Sequence, residues 1–470
     1  MGTPSIKNRL SDKDLLRKQL LSTATVDLFT VDTAKEYIST LGDKSIASLV
    51  LSKRKKSPLI QPRGGFSRFK DQRFLTQELV KAGTDFIPLT IDSHTRHNDY
   101  ISAGTLLERS ELEDKNLLNG YPLVNHGYKV SRQLFSDVKK PISLRHGTPD
   151  ARLLVEVALA SGITEIEGGA LSYSMPYSRT YPIIRSLLHW QYVDRVCALS
   201  STNERPIHRE SFGVLTATLV PPVMVAVVSL CELLLAAEQG VTSFSVSFSQ
   251  TGSIMQDRLL AQVLRKTSEY YLKQFGFENV SVYLVYHQWM GSFPYNYDMA
   301  NSLISTSAQI GAMIGADKII TKTKEEARGI PSVQDNVDAV RLVRYVLERS
   351  EFDTECLKVD LENSNLYRQV SSVMDAIFKL PTQEFWSSVS LAVTKGYIDI
   401  PFAPHECNKN QLITRRGKGN GIYILEPGQV PISADILIED SRAISDNDKL
   451  KSKDSMFNIM MRDINFMTEQ

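Results

Sequence analysis

Short apolar segments recur along the chain, and each is followed by a polar loop and a helical pattern. In order they are PLI from Pro58, FIPLTI from Phe86, PISL from Pro141, ITEI from Ile163, VCAL from Val196, FSVSF from Phe244, VYLVY from Val282 and KIITK from Lys318. Brief β-prone runs of this kind are typical of buried strands, and intervening segments such as DARLLVEVALASG have the spacing of amphipathic helices. Alternation of strand and helix predicts a parallel sheet covered by helices.

Eight such units predict an α/β fold of the TIM (βα)8 barrel type. An open, doubly wound sheet is the alternative, but no GxGxxG motif follows the first strand. We expect the barrel at residues 51–381 with an insertion at 97–140, a mostly helical extension at 1–50, and a C-terminal α+β extension at 382–470. In that extension, NKNQLITRRGKGNGIYIL predicts a surface hairpin rather than a phosphate loop, because it lacks Walker spacing.

The composition excludes several classes of function. The 470 residues are 42% hydrophobic and 23% charged, which is ordinary for a globular protein. The net charge of +1 argues against a nucleic-acid coat or a polybasic membrane anchor. Four widely spaced cysteines predict reduced thiols and a cytoplasmic location. The N-terminus has no apolar core of a signal peptide, and its Met-Gly start resembles a myristoylation site only loosely.

The most apolar stretch of the chain is TLVPPVMVAVVSLCELLLAAEQG. It contains Pro221, Pro222 and Glu232, and its uninterrupted apolar part is too short to span a bilayer. We therefore expect a buried helix, with Gly240 as its C-cap, and no membrane partner.

The carboxyl ends of the predicted strands carry a marked set of polar side chains. They are Arg63 after the first strand, Arg96 after the second, Arg145 and His146 after the third, Glu167 with Tyr173 and Tyr177 after the fourth, His287 after the seventh, and Lys322 with Glu326 after the eighth. In TIM barrels the active site is built at this end, so these side chains should meet over the barrel mouth.

Three arginines in register suggest a substrate with two carboxylates, because each guanidinium can bind a carboxylate in bidentate fashion. Glu167 would then bind an ammonium group or act as a base. Alternatively, Glu167 only neutralises the arginines, and the tyrosines and histidines are structural. The pattern nevertheless favours an enzyme that binds an amino dicarboxylate.

Several longer motifs carry a family resemblance. They are RHGTPDARLL, EGGALSYSMPYS, WQYVDR, FGVLTATLVPP, LLAAEQGV, HQWMGSFP and DIPF. From about residue 51 to residue 427 the chain resembles the large (E, or epsilon) subunit of glutamate mutase, also called methylaspartate mutase. The resemblance implies a TIM barrel that interconverts L-glutamate and (2S,3S)-3-methylaspartate with adenosylcobalamin, by radical fragmentation and recombination.

The resemblance also implies roles for individual residues. The arginine claw that grips both substrate carboxylates would be Arg63, Arg96 and Arg145. Further substrate contacts would come from His146, Glu167, Tyr173 and Tyr177, of which Glu167, Tyr177 and His146 would be catalytic. The residues expected around the cofactor are Gly65, Asn119, His287, Lys322 and Glu326.

The chain lacks the DxHxxG motif that supplies a histidine ligand to cobalt in this class of enzymes. The nearest match, DSHTRH with Asp92 and His94, has no glycine at the end, and we interpret it as a barrel loop. The resemblance therefore implies a separate small cobalamin-binding subunit that supplies the cobalt ligand, within a heterotetramer that contains a homodimer of large subunits. No protein-bound metal and no nucleic-acid partner are expected. The alternatives are a non-catalytic scaffold of a cobalamin subunit and a cobalamin-independent lyase acting on an aspartate-like substrate.

Overall fold

The core of the protein is a barrel of eight parallel strands. The computed structural model describes residues 30–213, 219–349, 361–444 and 456–468, so the predictions for the first 29 residues and for Cys356 lie outside the described residues. The strands are β1 (Leu59–Gln61), β2 (Ile87–Thr90), β3 (Ile142–Arg145), β4 (Glu165–Glu167), β5 (His208–Glu210), β6 (Ser243–Ser249), β7 (Ser281–His287) and β8 (Lys318–Ile320). They pair in the order β1-β8-β7-β6-β5-β4-β3-β2. A backbone hydrogen bond of 3.0 Å from Thr90 to Gly64 links β2 to the end of β1, and the predicted TIM barrel is confirmed.

Helices surround this barrel and extend it at both ends of the chain. They are α1 (Val31–Thr40), α2 (Ala47–Ser52), α3 (Phe69–Ala82), α4 (Ser93–Arg96), α5 (Tyr100–Leu112), α6 (Leu123–Phe135), α7 (Arg152–Ala160), α8 (Ala170–Tyr177), α9 (Ile183–Ser200), α10 (Pro222–Gln239), α11 (Ile254–Phe275), α12 (Tyr297–Met313), α13 (Val333–Arg349), α14 (Asn365–Phe378), α15 (Phe385–Lys395), α16 (Ala434–Ala443) and α17 (Met456–Ile464). The insertion between β2 and β3 holds α5 and α6.

The predicted position of the fifth strand is wrong. VCAL from Val196 lies in helix α9, where Val193, Val196 and Cys197 are buried with helical spacing. The true β5, His208–Glu210, has the sequence HRE and is fully buried. A strand whose inward side chains are charged and paired inside a barrel carries no hydrophobic signal, which is why the pattern missed it.

Helix α10 is the long apolar segment that the sequence predicted to be a buried helix. By length and composition it could cross a membrane, yet all 18 of its residues are buried within the protein, as expected for a core helix. It ends at Gly240, whose positive φ of 99° suits a glycine C-cap. The prediction of a buried, glycine-capped helix is therefore confirmed.

The Gly- and Arg-rich segment near the C-terminus forms an antiparallel hairpin, as predicted. Its strands are β9 (Ile413–Arg416) and β10 (Ile422–Glu426). The hairpin packs beside the barrel mouth, where Arg416 donates a hydrogen bond of 2.7 Å to the carbonyl oxygen of Thr251, just beyond β6.

Candidate active site

The carboxyl ends of the strands surround a pocket of about 520 Å³. Of the residues predicted to bind substrate, those that line it are Arg63, Arg96, Arg145, His146, Glu167 and Tyr177. Tyr173 is fully buried behind this wall, and its ring meets that of Tyr177 edge to face with centroids 6.1 Å apart. The structure therefore brings together residues that are up to 114 positions apart in the chain (Arg63 to Tyr177).

Arg145 forms the buried floor of the pocket. Its Nη2 lies 2.7 Å from Oε1 of Glu167, and its Nη1 lies 3.2 Å from Oε1 of Glu210. Burial by itself would lower the pKa of Arg145, but the charges of Glu167 and Glu210 raise it above its ordinary value. Arg145 therefore remains a cation that two carboxylates hold in place.

Arg63 and Arg96 form the rim, and their surroundings differ from those of the floor. Within the described parts of the chain, no carboxylate lies within ion-pair distance of either guanidinium. Arg96 donates from Nε to the carbonyl oxygen of Ile91 at 2.6 Å, which orients the side chain. Burial lowers the pKa of Arg96, and the nearby charge of Arg63 lowers it further. Two guanidinium groups thus face the pocket without a protein counter-ion.

Glu167 lies at the end of β4, where it lines the pocket beside Arg145. Burial raises the pKa of Glu167 to about 7, because the loss of hydration outweighs the attraction of Arg145, and the like charge of Glu210 raises it further. The carboxyl group can therefore gain or lose a proton near neutral pH, as a general base or a ligand for an ammonium group requires.

The chain turns sharply after Glu167, which brings helix α8 and its two tyrosines over the pocket. Gly168 has a φ of 115°, and a Cβ there would lie 2.6 Å from the ring of Trp190. The N-terminus of α8 is held by buried Glu232 of α10, which accepts from the amides of Leu171 at 2.9 Å and Ser172 at 2.8 Å. The Gly-Gly pair and the buried carboxylate of Glu232 thus position Tyr173 and Tyr177.

His146 is part of an aromatic wall. Its ring stacks on Trp190 with centroids 5.9 Å apart and meets Tyr173 edge to face at 4.9 Å. Burial lowers the pKa of His146 well below its usual range, and the charges of Arg96 and Arg209 add to this. Nδ1 accepts from the amide of Thr148 at 3.3 Å, whereas buried Nε2 has no hydrogen-bond partner among the described residues. His146 is therefore a neutral imidazole that can donate a hydrogen bond from Nε2.

A second, smaller pocket of about 210 Å³ adjoins the first and shares Arg63 and Thr90 with it. Three of the five residues predicted to contact a cofactor line it, namely Gly65, Asn119 and Glu326. A Cβ at Gly65 would overlap the carbonyl oxygen of Thr90, so glycine is required for this close approach. Asn119 accepts from the amide of Ser93 at 2.9 Å.

Lys322 and His287, the other two predicted cofactor residues, are buried nearby. Nζ of Lys322 lies 2.6 Å from Oε2 of Glu326, and burial nevertheless lowers the pKa of Lys322 to about 8. Burial also lowers the pKa of His287 well below its usual range, with the charge of Arg145 next in importance. The ring of His287 meets that of Phe212 with centroids 5.3 Å apart, and its Nε2 has no hydrogen-bond partner in the part of the chain that the structure describes.

The segment DSHTRH caps a helix. Asp92 accepts from the amides of His94 at 2.9 Å and Thr95 at 3.0 Å, and α4 begins directly after it.

Among the described residues, no group of three or more His, Cys, Asp or Glu side chains is arranged to hold a metal ion.

The charged residues beneath the pocket were not predicted from the sequence. They are Glu165 on β4, Glu210 on β5 and Lys318 on β8, all fully buried in the barrel interior. The sequence did contain one indication of the two glutamates. In a strand, alternate side chains face the same side, so the first and third residues of EIE and of HRE point to one face of the sheet. Phe212, which lines the pocket after β5, was missed because β5 itself was misplaced.

Comparison with known proteins identifies the family. The profile of the methylaspartate mutase E chain (MutE) family matches residues 42–470. The chain belongs to this family. It is 38% identical to the glutamate mutase epsilon subunit of Yersinia enterocolitica over 409 residues, which covers 87% of this chain and 85% of the relative.

Other glutamate mutase epsilon subunits are similar over comparable lengths. The identity to the subunit from Escherichia coli O157:H7 is 35%, covering 96% of this chain and 94% of the relative. For Haloarcula marismortui it is 35%, with coverage of 88% and 84%. The resemblance inferred from the motifs is confirmed. A solved aldolase of the DAHP synthase type from Thermotoga maritima is 10% identical, with a TM-score of 0.37, over 63% of this chain and 69% of its own, a similarity too low to bear on function.

Proposed function

We propose that this member of the methylaspartate mutase E chain family is the substrate-binding subunit of an adenosylcobalamin-dependent mutase. Its reaction would interconvert L-glutamate and (2S,3S)-3-methylaspartate. The observation that carries the proposal is the set of Arg63, Arg96, Arg145 and Glu167 around one pocket of about 520 Å³. This arrangement offers guanidinium groups to two carboxylates and a carboxylate to one ammonium group.

In this proposal the chain's own residues bind and orient the substrate. The rim arginines, which have no carboxylate partner in the described structure, take the substrate carboxylates, while Glu167 takes the ammonium group or its proton. Fixing these charged ends keeps the pieces of a fragmenting substrate close enough to recombine. Phe212 packs against Tyr173 of the aromatic wall, and the rings of His146, Tyr173 and Phe212 exclude water from the reacting carbons.

The adjoining pocket suits the nucleoside part of the proposed cofactor. Glu326 and Asn119 provide acceptors and donors for hydroxyl groups, and Gly65 leaves space beside the strand ends. Buried Nε2 of His287 has no partner in the described structure and is a further polar group for a ligand. When bound, adenosylcobalamin supplies the radical chemistry that no amino-acid side chain here can provide.

A reconstitution assay tests the proposal. The purified chain is combined with adenosylcobalamin and the small cobalamin-binding subunit of a glutamate mutase, and L-glutamate is followed by NMR. We expect 3-methylaspartate only when all components are present. Glu167→Gln should reduce turnover much more than glutamate affinity. A complex that leaves glutamate unchanged would indicate a scaffold, and an unsaturated dicarboxylate formed without cofactor would indicate a lyase.

The proposed partner is a small cobalamin-binding subunit, with two large and two small subunits in one assembly. Since no DxHxxG motif is present, this chain alone should bind adenosylcobalamin weakly, and binding should tighten when the partner is added. Spectroscopic titration of the chain, with and without the small subunit, measures this difference. Tight binding by the chain alone would contradict the proposal.

The proposed location is the cytoplasm, in keeping with the free thiols of Cys197, Cys231 and Cys407.

A further inference from the structure

A continuous chain of charged side chains runs from the pocket into the barrel. Nη2 of Arg145 lies 2.7 Å from Glu167, and its Nη1 lies 3.2 Å from Glu210. Nζ of Lys318 lies 2.6 Å from the other oxygen of Glu210 and 2.6 Å from Glu165. The side chains of Lys318, Glu165 and Glu210 have no exposed surface.

Ion pairs of this kind are unusual contents for a barrel interior. TIM barrels are normally filled by branched aliphatic side chains, and replacing a buried ion pair by such residues is often neutral or stabilising. Stability alone therefore does not explain Lys318 and its two carboxylates. Their one connection to the pocket, within the described structure, passes through Arg145.

The formal charges of this chain do not balance. Three carboxylates (Glu165, Glu167 and Glu210) stand against two cations (Arg145 and Lys318), which leaves one negative charge in excess. Of the three carboxylates, only Glu167 lines the pocket. The excess negative charge is therefore accessible to a ligand at Glu167.

The side chains that face Glu167 come from several elements. The charged and titratable groups near it are Arg145 of β3, His146 after β3, Glu210 of β5, Tyr173 and Tyr177 of α8, Arg63 after β1 and Arg96 of α4. Of these groups only Glu210 is an acid like Glu167, and it adds to the cost of ionising Glu167. The charge of Glu210 therefore bears directly on how Glu167 holds its proton.

We infer that Glu210 and Lys318 are positioning residues for the substrate's ammonium site. Lys318 holds Glu210, and Glu210 in turn holds the guanidinium of Arg145 beside Glu167. The same chain keeps one unbalanced negative charge at Glu167 for the ammonium group of an amino dicarboxylate. Neither residue lines the pocket, so both act on a bound ligand through Arg145 and Glu167. The inference rests on the proposed function for the identity of the ligand.

Lys318 is fixed in this role by further contacts. Its Nζ donates to Oε1 of Gln61 at 2.7 Å and lies 4.6 Å from the ring centroid of Phe86. Gln61 on β1 and Phe86 just before β2 lie on the same side of the barrel as β8, whereas Glu165 and Glu210 lie on β4 and β5. The ammonium group therefore bridges opposite sides of the barrel. A shift of Lys318 would release Glu210, and Arg145 would lose one of its two carboxylate partners.

Calorimetric titration of the purified chain with L-glutamate tests the inference. The titration is run at pH 6.5 in two buffers with different ionisation enthalpies, which gives the number of protons released on binding. For the wild type we expect release of a proton, because the ammonium group binds to ionised Glu167. Glu210→Gln should weaken binding about tenfold or more and reduce the proton release, since loss of the like charge lowers the pKa of Glu167 and leaves a larger fraction of it ionised beforehand.

Two further variants separate charge from position. The double variant with Glu210→Gln and Lys318→Met keeps one excess negative charge but removes the link from Lys318 through Glu210 to Arg145, which keeps its contact with Glu167. It should restore the proton release without restoring affinity. Asp257→Asn is the matched control, because Asp257 is a buried carboxylate that binds Thr251 and Tyr286 instead of Arg145. It should bind glutamate as the wild type does.

Wild-type affinity and proton release in Glu210→Gln would overturn the inference. If the wild type binds glutamate but fails in the reconstitution assay, the proposed function fails and the titration still decides the roles of Glu210 and Lys318. If the wild type binds no glutamate, a crystal structure of Glu210→Gln decides. A guanidinium of Arg145 that remains in its original place there would also overturn the inference.

Discussion

The floor and the rim of the pocket both carry arginine, but they use it differently. On the floor, Arg145 is buried and already paired with Glu167 and Glu210. On the rim, Arg63 and Arg96 are partly exposed and have no carboxylate partner in the described structure. A charge paired within the protein contributes to folding, whereas an unpaired charge over a pocket is available to a ligand. We therefore expect the floor to contribute mainly to stability and the rim mainly to substrate capture.

The largest expected effect is on the floor. Arg145→Met would leave buried Glu167 without its cation, and Glu210 would keep only its pairing with Lys318. Breaking a buried pair in this way costs about 3–5 kcal/mol. We expect a loss of that size in the free energy of unfolding, measured by urea denaturation beside the wild type. A variant as stable as the wild type would show that Arg145 is not the structural centre of the floor.

On the rim the same type of residue should affect binding and not folding. Arg96→Lys keeps the charge but loses the fork that binds a carboxylate with two hydrogen bonds. We expect kcat/KM for glutamate to fall by about 10–100-fold, which is equivalent to about 1.4–2.7 kcal/mol. The unfolding free energy should change by less than about 0.5 kcal/mol. A large loss of stability with normal turnover would reverse the assignment.

The rim can also be disturbed without changing a charge. Gly65→Ala would place a methyl group against the carbonyl oxygen of Thr90, so the loop that carries Arg63 must shift. Overpacking of this kind typically costs about 1–3 kcal/mol. We expect weaker adenosylcobalamin binding by the complex with the small subunit, measured by spectroscopic titration. Gly83→Ala is the control, because nothing lies within 4 Å of a Cβ at Gly83, although its positive φ disfavours alanine.

A further effect concerns the proton on Glu167. Its pKa is raised from 4.5 to about 7, so the folded protein binds this proton more tightly than the unfolded chain does. The resulting stabilisation is complete below about pH 4.5 and is lost as the pH rises to about 7. Glutamate affinity should change in the opposite direction. Below about pH 7, it should increase by up to tenfold for each unit by which the pH rises. Titration calorimetry at pH 5.5–8 measures it, and Glu167→Gln should remove this dependence.

Much of the architecture could be predicted from hydrophobic patterning. Seven of the eight predicted strands overlap strands of the barrel, because their apolar side chains are buried between the sheet and its helices. The buried helix α10 and the hairpin of β9 and β10 followed from composition and turn residues. In each case the local sequence and the final environment favour the same structure.

The sequence by itself determined which polar side chains follow the strands, and hence that Arg63, Arg96, Arg145 and Glu167 meet at one end of the barrel. Only the tertiary structure decided which of these charges are paired. Glu210 and Lys318 are 108 residues apart and meet through the closure of the barrel, and β5 carries its charges inward without an apolar pattern. Pairing depends on distances of a few ångströms between side chains on different strands. A one-dimensional pattern does not contain those distances, because they arise when the sheet closes.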